Sequence, residues 1–281
     1  MSKRQHSKQT KGLKRDIIDK FYTKNDVVNS CIQIIRDNVE FNDNDAIIEP
    51  SSGNGSFING IKSLSKNYIF YDLEPEHDEI TQKDYLLFNP QEIKSKYENI
   101  HVIGNPPFGR QSSLAIKFIK KSCEFADSVS FILPKSFKKD SLKNKIPSKF
   151  HLISEYDLPS YSFLVNGEEY DVPCVFQIWK KMVDNRPVVE KLEPLHFIFV
   201  NKSDDPDISF RRVGVNAGVI DKNVEEKSIQ SHYFIKFTND KLIDENILLL
   251  SHITFDFNNT VGPKSISRQE LIYKFNLHLE V

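Results

Sequence analysis

Cysteine is scarce: Cys31, Cys123 and Cys174 are the whole complement of a 281-residue chain, and no two of them form a CxxC pair. That spacing gives no basis for a disulfide framework or a cysteine-held zinc, and it suits a reducing compartment. Apolar neighbours around all three mark them as core thiols. The eight histidines show no ligand spacing such as HExxH, so no metal is expected. No apolar run approaches the length of a membrane span, and no signal peptide precedes the first structured segment. An intracellular protein, cytoplasmic or nuclear, with no membrane partner is expected. Methionine (two) and tryptophan (one) are rare, and the net charge is only −1, so total charge announces no polyanionic partner. There is no internal repeat and no restriction-nuclease signature.

What the chain does have is enough apolar residue, 39%, for one large domain or one domain with an appendage. Its charge is unevenly placed. Lys3, Arg4, Lys8, Lys11, Lys14, Arg15, Lys20 and Lys24 face only Asp16 and Asp19 at the N-terminus. Residues 1–19 therefore read as a basic, flexible arm, either a solvated tail or an arm that binds nucleic acid.

The first structured segment opens at Phe21-Tyr22-Thr23, with Thr23 as the expected N-cap of a helix through Val27, Cys31, Ile34 and Ile35. A short strand at Ala46–Ile48 runs into Glu49-Pro50-Ser51-Ser52-Gly53-Asn54-Gly55-Ser56-Phe57, and a helix follows. Strand, acidic residue, Gly-x-Gly turn and helix is the opening of an open α/β sheet. Its glycines let the backbone pass close to a ligand at the carboxyl end of the strand. A second strand, Tyr68–Tyr71, ends at Asp72, where a carboxylate serves either as a turn residue or as acceptor for two ribose hydroxyls. Beyond it, Asp84 is placed to accept from an adenine amino group and Tyr85 to pack on the adenine. A third strand, Ile100–Ile103, ends in Asn105-Pro106-Pro107-Phe108-Gly109. The prolines forbid helix and central strand, so this is a rigid extended loop. It brings together a side-chain amide, prolyl carbonyls and an aromatic ring. Such a set is either a plain turn after a strand or a site for a planar group carrying an NH2: the Asn105 oxygen and a carbonyl accept its hydrogens, and Phe108 stacks on its face. In a parallel sheet the three strand ends share one rim.

This constellation resembles the class I S-adenosylmethionine-dependent methyltransferases, and among them the amino-methyltransferases of the N6-adenine type. Glu49 to Phe57 resembles their cofactor motif, and Asn105-Pro106-Pro107-Phe108 their catalytic (Asn/Asp/Ser)-Pro-Pro-(Tyr/Phe) motif. Phe21-Tyr22-Thr23 resembles the cofactor segment that precedes the glycine motif in the gamma order. The resemblance covers residues 20–180. It implies a Rossmann-like sheet, mostly parallel, closed by an antiparallel hairpin, with S-adenosylmethionine as cofactor. It implies cofactor contacts at Tyr22, Thr23, Glu49, Pro50, Ser51, Gly53, Gly55, Asp72, Leu73, Asp84, Tyr85 and Asn105. The implied activity is methylation of the exocyclic N6 amine of adenine, a poor nucleophile until hydrogen bonds localise its lone pair. In a duplex that base must be flipped out.

In the second half, Val129–Leu133 reads as a strand stopped by Pro134. Lys135, Lys138, Lys139, Lys143, Lys145 and Lys149 follow, opposed locally only by Asp140. They form either a solvated loop or a phosphate contact, with Lys135, Lys138 and Lys139 nearest the rim. Strands at His151–Tyr156 and Val172–Trp179 enclose a loop in which Phe163, or alternatively Tyr161, is placed to stack on a flipped base. Packing is the equal alternative. The catalytic domain is expected over 20–183. Residues 184–281 read as a small, mostly β appendage and candidate target-recognition region, with strands at Phe197–Val200, Phe210–Val213, Tyr233–Phe237 and Ile253–Phe257. Its terminal helix is capped by Ser267 with Glu270. Arg211, Arg212, Lys264 and Arg268 could touch a nucleic-acid backbone. DNA is the favoured partner on motif order, with RNA a rival. A protein glutamine amide offers a similar NH2, and a binding subunit without catalysis is the non-enzyme alternative.

Overall fold

The computed structural model describes residues 20–187, 190–257, 259 and 263–280; the basic arm expected over 1–19 lies outside them. In chain order the first elements are β1 (Tyr22–Thr23), α1 (Asn25–Asn38), β2 (Ala46–Glu49), α2 (Ile58–Lys62), β3 (Asn67–Asp72), β4 (Thr81–Gln82), α3 (Gln91–Lys94), β5 (Ile100–Gly104), α4 (Ser113–Cys123) and β6 (Ser128–Pro134). They are followed by α5 (Asp140–Lys143), β7 (Phe150–Asp157), β8 (Phe163–Val165), β9 (Glu168–Tyr170) and β10 (Cys174–Lys181). The last are β11 (Phe197–Val200), β12 (Ile208–Arg211), β13 (Ile220–Asp221), β14 (His232–Phe237), α6 (Ile243–Leu250) and α7 (Arg268–Leu279). The main sheet has seven strands in the order β4-β3-β2-β5-β6-β10-β7. Its β2–β6 part is parallel and its β10–β7 pair antiparallel. This is the Rossmann-like sheet expected, with extra β elements.

The chain divides into two compact units: residues up to Ile132 with Pro159–Asp171, and Leu133–Leu158 with the chain from Val172 onward. The division does not fall at residue 184. The lysine segment and the β7–β10 pair group with the C-terminal residues, to which Lys139 is tied by hydrogen bonds to Ser265.

In the first unit, β2 and β5 are buried along their whole length, as parallel strands covered on both faces must be. Their isoleucines and valines make the core, with Ile47, Ile48 and Val102 fully enclosed. Each such side chain contributes about 1.5–3 kcal/mol relative to exposure. Register places Glu49 beside Phe70, two residues from the end of β3 at Asp72, and Ile48 beside Val102 on β5. The carboxyl ends of β2, β3 and β5 therefore share a rim. Helix α1 begins at Asn25, with Lys24 and not Thr23 at its N-cap and no side-chain cap bond. Thr23 is instead in β1, paired with Phe163 of β8. The segment expected as loop at 159–167 is thus partly a hairpin, β8–β9, that takes β1 as a third strand.

In the second unit, β7 and β10 pair antiparallel with a bulge at Ile178/Trp179. Buried Gln177 donates to the Glu155 carboxylate and the Phe137 carbonyl, and Trp179 donates to Gln177. A four-stranded sheet in the order β11-β14-β12-β13 packs Phe197, Ile208, Phe210 and Ile235 on Leu271, Ile272 and Phe275 of α7. The Ser267–Glu270 capping box is formed. The strand expected at Ile253–Phe257 is irregular coil, while α6 appears without a strong period in its sequence. Among the described residues no helix is long and apolar enough to cross a membrane.

Candidate functional site

The site is built at the rim of the first unit. Gly104 closes β5 at φ 149°, and a Cβ there would lie 3.1 Å from Cγ of Glu49. Only glycine allows the end of β5 to pass this close to the end of β2. The next residue is Asn105. Its Nδ2 donates to the Phe21 carbonyl at 3.0 Å and to the Thr23 hydroxyl at 3.2 Å. A carbonyl can only accept, so this pair of bonds fixes which way the amide faces. The consequence is that Asn105 Oδ1 is buried without a partner. The Asn105 carbonyl accepts from the Ser51 hydroxyl at 3.2 Å, which ties the proline loop to the glycine turn.

Phe108 is 7% exposed. Its ring stacks on Phe21 with centroids 5.9 Å apart, and Phe21 stacks in turn on Tyr170 at 5.6 Å and lies 6.0 Å from Phe163. Phe163 is fully buried, so its ring holds the β8 hairpin in place. Tyr161 is exposed, at positive φ, with its amide on Asp171.

Gly53 and Gly55 take φ of 50° and 83°. The Gly53 amide donates to Asp72 Oδ2 at 2.7 Å and the Glu74 amide to Asp72 Oδ1 at 2.8 Å. An ionised carboxylate has about four acceptor positions, so Asp72 locks the turn and keeps capacity for hydroxyl donors. Glu49 is buried, and its Oε2 has no partner. Burial, and secondarily the nearby Asp72 charge, push its carboxyl up to about 8. Pro50 is buried behind it, and Ser51 is half-buried. Tyr22 lies along the turn, 3.4 Å from where a Gly53 Cβ would be. Its hydroxyl donates to Glu76 at 2.6 Å. Burial first, then that bond, push the phenol up to about 12. Leu73 is exposed beside Asp72.

Of two further expected cofactor contacts, Asp84 caps a turn and keeps acceptor capacity, while Tyr85 is committed to core packing. Asp84 accepts from the Leu86 amide at 2.9 Å and caps a single 3-10 turn. The Tyr85 ring is buried among Phe88, Phe118 and Phe125, with its hydroxyl on Ser122 at 2.8 Å. That ring is occupied by core packing, and burial raises its phenol. Lys135, Lys138 and Lys139 belong to the second unit. Lys135 and Lys138 both pair with Asp157, and Lys139 lies 3.8 Å from Glu270. The carboxylates opposing this run come from distant sequence, so its charge is largely compensated within the unit.

Sequence reasoning named Phe21 in the cofactor segment but gave it no role of its own, although its carbonyl and ring both support the proline loop, and it did not single out Glu76, which holds Tyr22. Neither carries a local signal, since each acts through a partner more than fifty positions away. The groups at the rim fit the S-adenosylmethionine implied by the resemblance. Glu49 Oε2 is a buried polar atom without a partner, and a cofactor carrying cationic and NH2 groups would supply one. Gly55 leaves room that a Cβ would fill, 2.7 Å from Cδ1 of Ile58. Among the described residues no group of three or more His, Cys, Asp or Glu could hold a metal ion.

No family model and no curated protein matches the chain. Among solved structures it is similar to a Pyrococcus horikoshii protein described as a candidate RNA methyltransferase, at 17% identity and TM-score 0.47, covering 62% of this chain and 93% of that one. It is also similar to a candidate class I S-adenosylmethionine-dependent methyltransferase from Listeria monocytogenes, at 15% identity and TM-score 0.43, covering 60% and 64%. A modification subunit of a candidate type I restriction enzyme from Vibrio vulnificus matches at 13% identity and TM-score 0.45, covering 88% of this chain and 55% of that one. At these identities the substrate has to be read from the site itself.

Proposed function

We propose that this chain is an S-adenosylmethionine-dependent methyltransferase that modifies the N6 amine of adenine in nucleic acid. The observation that carries the reading is the buried, unpartnered Oδ1 of Asn105, whose amide nitrogen is already spent on Phe21 and Thr23. An orphaned buried acceptor costs about 1–3 kcal/mol, and an incoming NH2 donor relieves it. With one amine hydrogen on Asn105 Oδ1 and the other on the Pro106 carbonyl, the nitrogen lone pair is drawn out of conjugation and aimed away from the ring. Bound at the glycine turn, S-adenosylmethionine supplies an electrophilic methyl group. The chain contributes positioning and fixed dipoles. Asp72 takes ribose hydroxyls, and Glu49 offers a buried carboxyl to the cationic part of the cofactor.

RNA stands ahead of duplex DNA as the polymer. The four-stranded sheet of the second unit is small for reading a long duplex site, and the Phe108 face suits a base that is already unpaired. The gamma-like motif order favours DNA, and that remains the second reading.

The test is transfer of labelled methyl from S-adenosylmethionine to structured RNA, capped RNA, single-stranded DNA, duplex DNA and protein extract, with products digested and identified by mass. N6-methyladenine in RNA is expected. The same base in DNA alone would reverse the polymer, and label only in glutamine would replace the substrate. Absence of cofactor binding in calorimetry would remove the enzyme reading altogether.

A further inference from the structure

A second site lies wholly within the second unit. A cavity of about 810 Å³ opens on the four-stranded sheet, lined among others by Phe199, Lys202, Arg212, Tyr233 and Arg268. Its volume is in the range of small-ligand pockets. Phe199 and Tyr233 meet edge to face with centroids 5.5 Å apart, and the Tyr233 hydroxyl is anchored on the Ile266 carbonyl at 3.3 Å. The Arg268 guanidinium lies 4.7 Å from the Phe199 ring centre and 5.7 Å from that of Tyr233, and the Arg212 guanidinium 5.4 Å from Tyr233. Two guanidinium groups thus lie over one aromatic pair.

Their charge is not spent locally. Among the described residues neither arginine has a carboxylate within ion-pair distance, and no Asp or Glu is in the cavity lining. The nearest acid in sequence to the lining, Asp204, is held by Asn201 and Ser203. Lys202 is different: it is committed to the carbonyls of Glu225 and Lys227. Arg212 gives one arm to the Gln230 carbonyl at 2.8 Å and keeps its other donors. Arg268 is the first residue of α7, where the helix dipole is positive and a cation is disfavoured. Glu270 at the third position is turned back onto the Ser267 amide. Two unneutralised guanidiniums on an aromatic floor, one of them at a helix N-terminus, require an anion to be at their most stable.

We infer that this cavity binds a nucleotide of a single-stranded nucleic-acid segment, its phosphate between Arg212 and Arg268 and its base stacked on a guanidinium. Guanidinium planes and aromatic faces are the surfaces on which unpaired bases stack, and they tolerate any base. The site is therefore an anchor that adds affinity without reading sequence. The inference rests on the nucleic-acid reading above and gives its substrate a second point of attachment.

The experiment is fluorescence anisotropy on the full chain with a labelled ten-nucleotide single-stranded RNA, its DNA counterpart and a duplex. Wild type, Arg212→Ala/Arg268→Ala and Arg212→Lys/Arg268→Lys are compared across a salt series. The alanine pair is expected to weaken binding of the single strands about tenfold or more and to flatten the slope of log K against log salt by about 0.7, the loss of one phosphate contact. The lysine pair keeps the charge and loses the planes, so it should restore the slope but not the affinity. Calorimetry with S-adenosylmethionine on the same variants checks that the first unit is unaffected. Unchanged oligonucleotide affinity in the alanine pair overturns the assignment, as does adenosine monophosphate competing as tightly as the ten-mer. If no methyl transfer is found yet the arginines still control oligonucleotide binding, the methyltransferase reading fails and this site stands. Transfer to RNA with no effect of the arginines gives the reverse.

Discussion

Asn105 donates its side-chain amide to the hydroxyl of Thr23 at 3.2 Å, across 82 positions of chain. Thr23 is 5% exposed, so this bond is sheltered from water, and with the bond to the Phe21 carbonyl it fixes the Asn105 amide in rotation. Thr23→Val keeps the shape and removes the acceptor. The Phe21 carbonyl still holds the amide, so the oxygen is still presented but less firmly. We expect kcat to fall about tenfold with little change in KM for the cofactor, and stability to fall by about 1 kcal/mol. Single-turnover rates and thermal melts check this. A rate equal to wild type would show that Phe21 alone positions the amide.

Asn105→Ala removes the acceptor itself. Turnover is expected to drop by more than about a hundredfold, the scale of losing a preorganised hydrogen-bonding group at a reacting centre. Cofactor affinity by calorimetry is expected to stay within a fewfold, because the glycine turn is held by Asp72 and by the Asn105 backbone carbonyl, which alanine keeps. A large loss of cofactor binding would move Asn105 from amine capture to cofactor capture.

The parts legible in the sequence were those whose signal is local. Buried β2, β5 and β6 show as apolar runs, the turn at Gly53 and Gly55 shows as positive-φ residues after a strand, and the proline loop shows by composition. The Ser267–Glu270 cap follows a four-residue rule and is present. Misreadings came where a tertiary partner outcompeted a local one. Thr23 has the chemistry of an N-cap, yet its hydroxyl is taken by Asn105 and helix α1 starts without a cap bond. Tyr85 sits where an adenine contact was expected, yet Phe88, Phe118 and Phe125 bury it. The lysines after β6 are opposed along the chain only by Asp140, while Asp157 and Glu270 reach them through folding. Two-residue β1 is too short to carry any period.

Glu49 gives the site a pH signature. Its carboxyl is pushed up to about 8, chiefly by burial, from about 4.3 in an unfolded chain. The folded state therefore holds this proton more tightly than the unfolded state. Its contribution to stability is full below about pH 4.3 and is lost progressively as pH rises to about 8. Glu49→Gln removes that dependence. Without cofactor, wild type should lose Tm relative to the variant between pH 5 and 8, and saturating cofactor should narrow the gap at pH 8 by supplying a positive charge. Parallel melting curves for the two proteins over this range would show that Glu49 is already ionised and solvated.

Gly55 tests the cofactor cradle from the backbone side. Its φ of 83° is strained for any L side chain, and an added Cβ would meet Cδ1 of Ile58 at 2.7 Å and His77 at 3.3 Å. Ile58 is the first residue of α2 and is buried, so it cannot swing aside without disturbing the core. Gly53 differs: its φ of 50° lies in the left-handed region, and its Cβ would come no nearer than 3.4 Å, to the Tyr22 ring. Gly55→Ala should cost about 1–3 kcal/mol and weaken cofactor binding by more than tenfold, because the turn must open to relieve the contact. Gly53→Ala should cost less and leave binding within a fewfold. Calorimetry and melting of the two variants side by side decide the matter: equal effects would mean that backbone strain alone governs the turn, and only an excess at Gly55 is explained by space reserved beside the helix.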